Sequence, residues 1–185
     1  MCRRESEHKG LNTAVHILLD ASGSMIGSPI RLALCSCYAI AKALENQNGI
    51  SVGITAFPAY TYNAIGVYSL LPQGGRLTRR MKIPAGGETP LGASLYWVMK
   101  ELYKRSEERK ILLILTDGYP SDWNLTERAL KETAALGIEA YGIGLLSDSI
   151  NAFLPEKSRI LSEMKDLTPS ILELLGQTLT GKYGL

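Results

Sequence analysis

Apolar positions along the chain fall into two rhythms, short solid runs and longer stretches with an apolar residue every three or four positions. Ala14, Val15, Ile17, Leu18 and Leu19 form a nearly unbroken run, and so do Ile111 to Leu115. Runs of that kind suit central parallel strands covered on both faces. Ile50 to Phe57 alternates and is β-branched enough for a second strand, closed by Pro58. Gly66 to Leu71 reads as a third, Ile138 to Leu145 as a fifth, and Ser158 to Leu161 as a short edge strand.

The helical rhythm occupies the intervals. Ser28-Pro29 opens a helix with Ser28 as its N-cap and a predicted stripe of Ile30, Leu34, Cys37, Ala41 and Leu44, stopped at Asn48-Gly49. Thr89 is placed to cap a second helix with the stripe Leu91, Leu95, Val98 and Leu102. Asn124 and Glu127 form a capping-box-like start for a third, through about Leu136, with Gly137 as its stop. A last helix is expected over Thr168 to Leu179. Only about seven residues separate the second and third strands, too few for a helical crossover, so that pair should be antiparallel.

Strands alternating with helices predict an α/β fold. We expect a doubly wound, Rossmann-like mixed sheet of about six strands, mostly parallel with one antiparallel strand, and helices on both faces. A polar segment over 1–12 precedes one domain over 13–180, and a short tail over 181–185 follows. The 185 residues suffice for one sizeable core. A formal net charge of +2 argues against nucleic acid as partner. No apolar run is long enough to span a membrane, and the first ten residues lack the apolar stretch of a signal peptide. Three cysteines, Cys2, Cys35 and Cys37, without a C-x-x-C pair fit a reducing compartment. The expected location is cytoplasmic. The basic run Arg76, Arg79, Arg80 and Lys82 reads as a solvated face or a docking surface.

The candidate chemistry lies at the carboxyl ends of the two solid strands, where α/β sheets place ligands. The first strand runs into Asp20-Ala21-Ser22-Gly23-Ser24, and the fourth ends in Thr116-Asp117-Gly118. Between them, Gly86-Gly87-Glu88-Thr89-Pro90 forms a flexible loop in which Pro90 holds Thr89 extended. Carboxylate and hydroxyl oxygens together suit Mg2+, Mn2+ or Ca2+ better than zinc. Taken singly, each segment also reads as a plain turn or helix cap. Right-handed crossovers would bring Asp20, Ser22, Ser24, Thr89 and Asp117 together.

The three segments, in this order, resemble the metal-ion-dependent adhesion site of von Willebrand factor A (VWA) domains. Gly142-Ile143-Gly144 fits the same family. The intracellular pattern looks most like the domain ending the T subunit of aerobic cobalt chelatase, although the long acidic amino-terminal region of that subunit has no counterpart here. The resemblance implies that Ser22, Ser24 and Thr89 bind a metal directly, Mg2+ first among the candidates, while Asp20 and Asp117 act largely through water. It also implies a protein partner that supplies an Asp or Glu to the metal, in intracellular members an AAA+ ATPase or a metal-chelatase-like assembly, and a non-catalytic role.

Two other readings compete. A metal-assisted hydrolase acting on phosphate esters would use the same cation as Lewis acid. Its support is thin, because a phosphate loop, a His-Glu-x-x-His helix and a Gly-x-Ser-x-Gly elbow are all missing. His8 and His16 are poor general bases by position, and Asp122 or Glu88 would have to serve. The other reading is a conformational switch acting through the last helix.

Overall fold

The computed structural model describes residues 12–61, 64–77 and 81–163. The expected segments 1–11 and 164–185, including the last helix, lie outside them, as do Arg79 and Arg80 of the basic run. Among the described residues the sheet has six strands: β1 (Thr13–Asp20), β2 (Ile50–Thr61), β3 (Ala64–Leu71), β4 (Arg109–Thr116), β5 (Ile138–Leu145) and β6 (Ser158–Leu161). Their order across the sheet is β3-β2-β1-β4-β5-β6. Only β2 and β3 pair antiparallel; the other neighbours are parallel. The mixed α/β sheet is therefore as expected.

β1 and β4 are adjacent in space although two strands and two helices separate them in sequence, which makes their carboxyl ends the point where the winding of the sheet reverses. Every residue of β1 is buried, and its alternate side chains enter two different cores. Val15, Ile17 and Leu19 join the core beneath helix α1 (Ser28–Glu45). Ala14 and Leu18 face helices α2 (Leu91–Tyr103) and α3 (Trp123–Ala135). With both faces covered, a strand can be apolar on both sides and can present polar groups only at its end.

Four local expectations are corrected. The buried face of α1 runs through Leu32, Ala33, Ser36, Cys37, Ile40, Ala41 and Leu44, while Ile30 and Leu34 sit at its margin. The stripe can rotate because Ser36 satisfies its own hydroxyl, donating to the Leu32 carbonyl at 2.8 Å. Ser28 is the first residue of α1 and not its cap; Gly27, at φ 95°, takes the cap position, and the Ser28 hydroxyl accepts from Arg31 at 3.1 Å. Pro58 does not close β2. The strand continues to Thr61 through a cis Phe57–Pro58 bond, and a register shift between Ala56 and Ala59 takes the proline out of the ladder. Asn124 lies inside α3, whose cap position belongs to Asp122.

α2 buries the predicted Leu91, Leu95, Val98 and Leu102, and Gly137 stops α3 region at φ 72°. α2 and α3 pack closely. A Cβ on Gly92 would lie 2.6 Å from the Thr126 backbone nitrogen, so only glycine permits this approach.

Candidate metal centre

Three loops meet at the carboxyl ends of β1 and β4. Their backbones are laced before any side chain is considered. Gly86 N–H donates to the Ala21 carbonyl at 2.8 Å, Gly23 N–H donates to the Gly87 carbonyl at 2.8 Å, and Ala21 N–H donates to the Phe57 carbonyl at 2.6 Å. The Gly-Gly loop is thus pinned to the Asp-x-Ser-x-Ser loop. A Cβ on Gly23 would stand 3.1 Å from the Gly87 oxygen, which explains a glycine between the two serines.

Asp20 is fully buried and holds the first loop from below. Its Oδ1 accepts the Ser22 N–H at 2.8 Å, and its Oδ2 accepts the Thr116 hydroxyl at 2.5 Å across the β1–β4 junction. Burial pushes its carboxyl above the ordinary range, the bonds from Thr116 and Ser22 pull the other way, and the nearby Asp117 adds to the rise.

The hydroxyls converge above them. Ser22 Oγ lies 3.2 Å from Ser24 Oγ, and the Ser24 hydroxyl donates to Asp117 Oδ1 at 2.6 Å. Thr89 is only 8% exposed. Its carbonyl accepts the N–H groups of Leu91 at 2.8 Å and Ser121 at 2.9 Å, which ties the second loop to the third. Its hydroxyl has no hydrogen-bond partner among the described residues. That differs from the cap expected of it. The free amides at the start of α2 are taken by Asp122, whose Oδ1 accepts from Gly92 at 3.0 Å and whose Oδ2 accepts from Ala93 at 3.1 Å. A carboxylate at a helix N-terminus satisfies the amides and the helix dipole together, so the threonine is released from capping.

Thr116 and Tyr60 are parts of this arrangement that sequence reasoning did not single out, and Asp122 is one that it named only as a candidate base. Thr116 stands inside the quoted Thr-Asp-Gly segment, so its signal was present. Asp122 and Tyr60 act across loops and have no local signature. The candidate bases of the hydrolase reading fare differently. Asp122 is committed to α2 and to the Thr126 hydroxyl at 3.0 Å. His16 is buried four residues back along β1, about 13 Å from Asp20 at the rise of a strand, between Gln73 and Thr55, each at 2.9 Å.

The oxygen set fits a hard divalent cation. Among the described residues no three His, Cys, Asp or Glu side chains form a cluster able to hold a metal. A cation here would be held through hydroxyls, and a buried threonine hydroxyl without a partner is a ligand in waiting.

Residues 1–80 match the family described as the cobalamin biosynthesis protein CobT VWA domain, a span that includes Asp20, Ser22 and Ser24 and ends before Thr89. Together with the sheet order and the three loops, this decides the family resemblance. Over those residues the chain is similar to the VWA domain of the CobT type. Among solved structures, this chain matches the pilus adhesin SpaC of Lactobacillus rhamnosus GG with a TM-score of 0.78 at 13% identity, covering 94% of this chain and 30% of the adhesin. It matches proximal thread matrix protein 1 of the mussel byssus, described with a zinc-occupied metal-ion-dependent adhesion site, at TM-score 0.70 and 16% identity, covering 92% of this chain and 46% of that one. The ArnB paralog VWA2 of Sulfolobus acidocaldarius matches at TM-score 0.61 and 21% identity, covering 88% and 44%. The chain thus spans less than half the length of each of these proteins, and at such identities the likeness is one of fold. No helix among the described residues is long and apolar enough to cross a membrane.

Proposed function

We propose that this chain is a divalent-metal-dependent protein-interaction module. Ser22, Ser24 and Thr89 would ligate the cation directly, and Asp20 and Asp117 would orient its water and hydroxyl ligands. The observation that carries the reading is that the three donor-bearing loops are hydrogen-bonded to one another, Ser24 to Asp117 directly and the Thr89 loop through the backbone bonds of Gly86, Gly87 and Thr89. Neutral hydroxyls leave the charge of a cation poorly compensated, so it favours one more anionic oxygen from outside. An Asp or Glu of a partner protein supplies it, and the metal becomes the bridge.

Mg2+ is the proposed ion, with Mn2+ or Ca2+ as alternatives by the same donor chemistry. The mussel protein's site of this kind is described with zinc, so such a site can hold a divalent ion. The proposed partner, from the resemblance to intracellular members of the family, is of the AAA+ ATPase or chelatase-like class, with this chain as a non-catalytic component. The hydrolase reading loses Asp122, which is occupied, and His16, which is remote, and is left with Glu88 as its named base.

The test is capture from native lysate with the protein as bait, in Mg2+ and in chelator, with Thr89→Ala as control. An ATPase retained only in Mg2+ and only by the unmutated bait supports the reading. Equal capture in chelator refutes it, and metal-stimulated phosphate-ester turnover lost in Asp117→Ala would put the hydrolase in its place.

A further inference from the structure

Two loops of the proposed centre each present one large apolar side chain to solvent beside an oxygen donor, and the end of β2 presents a third against the remaining loop. Ile26, two positions after Ser24, is 65% exposed, and Tyr119, two positions after Asp117, is 61% exposed. Tyr60 is 49% exposed; its ring lies against Gly87, and its hydroxyl accepts the N–H of Glu88, the neighbour of Thr89, at 2.7 Å. Single exposed apolar residues are ordinary on a protein surface. Three placed on or against the three donor-bearing loops form a collar. The Ser24–Asp117 bond holds the loops of Ile26 and Tyr119 together, and the Tyr119 ring is backed by Trp123 at 5.9 Å, which stacks on Phe153 at 4.3 Å. Aromatic side chains held in this way are the usual anchors of protein interfaces.

Charge narrows the occupant further. The segments 20–27, 85–91 and 116–123 contain no Lys or Arg, and they carry Asp20, Glu88, Asp117 and Asp122. A polyphosphate or nucleic-acid strand would find one cation there beside the carboxylates of Glu88 and Asp117, with no basic side chain in these segments to neutralise its remaining charges. A lone carboxylate set among uncharged neighbours meets no such repulsion.

We infer that the ligand is a protein loop whose single Asp or Glu reaches the cation while aliphatic side chains on either side of it pack against Ile26, Tyr60 and Tyr119. The inference rests on the metal-bridge reading and specifies the partner's chemistry. The collar selects the residues that flank the acid, and the metal selects the acid itself.

The test uses two blocked peptides, Gly-Leu-Asp-Leu-Gly and Gly-Ser-Asp-Ser-Gly, with inorganic phosphate as a third probe, titrated in Mg2+ against the amide NMR spectrum of the protein. Mn2+ affinity is measured separately by calorimetry. The leucine peptide should bind about tenfold more tightly than the serine peptide, the gain expected for burying part of two leucine side chains. In the double variant Ile26→Ser and Tyr119→Ser, both exposed positions, the preference should vanish while Mn2+ affinity is unchanged. Equal binding of the two peptides, stronger binding of phosphate, or a preference that survives in the variant overturns the collar. Metal uptake without peptide preference removes the collar alone, whereas absence of metal uptake by the unmutated protein removes the metal bridge and the collar with it.

Discussion

The hydroxyl of Tyr60 accepts the backbone N–H of Glu88 at 2.7 Å, so a residue near the far end of β2 fixes the loop that carries Thr89. A net hydrogen bond contributes about 0.5–1.5 kcal/mol. Tyr60→Phe keeps the ring and removes only this bond. It should leave the fold unchanged and weaken Mn2+ binding by roughly 2- to 10-fold in calorimetry. Identical affinities would mean that the bonds of Gly86 to Ala21 and Gly87 to Gly23 hold the loop unaided.

The two glycines of that loop should respond differently to the same substitution. Gly87 has φ 81° and a Cβ there would collide with the Tyr60 ring, whereas a Cβ on Gly86 would meet nothing within 4 Å. Gly87→Ala combines a left-handed backbone with a clash, so it should lower the melting temperature and reduce metal affinity. Gly86→Ala should change neither by a measurable amount. Thermal unfolding and calorimetry on the pair decide it; equal effects would mean that loop flexibility and not this local fit is what the glycines provide.

Asp122 gives a prediction that separates structure from chemistry. It caps α2 through Gly92 and Ala93 and also receives the Thr126 hydroxyl. Loss of a helix cap costs about 1–2 kcal/mol. Asp122→Ala should therefore destabilise the protein by about that amount in urea unfolding, and Asp122→Asn by less. An unchanged midpoint in Asp122→Ala would show that water replaces the cap at no cost.

How much of this was legible in the chain depends on how local its cause is. The unbroken apolar runs of β1 and β4 identified the two central strands, and the turn residues after them located the proposed donors, because both signals lie within a few consecutive residues. Features formed between distant segments left no such mark. Asp122 caps a helix that begins some thirty positions earlier, so the hydroxyl of Thr89, the local candidate, was assigned that duty by default. Pro58 read as a strand terminus because a bulge that removes it from the ladder depends on the pairing of β2 with β3. The rotation of α1 toward Leu32 and Ser36 depends on one side chain bonding its own helix, a choice that the spacing of apolar residues does not record.

His16 supplies the last prediction, a pH dependence with a defined sign. The imidazole is buried in the sheet, with Gln73 on Nδ1 and Thr55 on Nε2, and Trp97 6.4 Å away. Burial lowers its pKa to about 4, against weaker opposite pulls from the Gln73 hydrogen bond and the charge of Glu101. In the unfolded chain the group titrates near its ordinary value of 6.5. Above that pH both states are neutral and the contribution is constant. Between 6.5 and about 4 the unfolded chain takes a proton that the folded protein refuses, so stability falls as pH falls. The span corresponds to a loss on the order of 3 kcal/mol. Glu107, held down to about 2 chiefly by Arg105, also loses stability on acidification, but it starts lower, from 4.5, and so does not obscure most of the histidine window. Urea unfolding of the unmutated protein and of His16→Gln across this range should show the slope of about one proton only in the former. Parallel curves would place the acid sensitivity of the fold elsewhere.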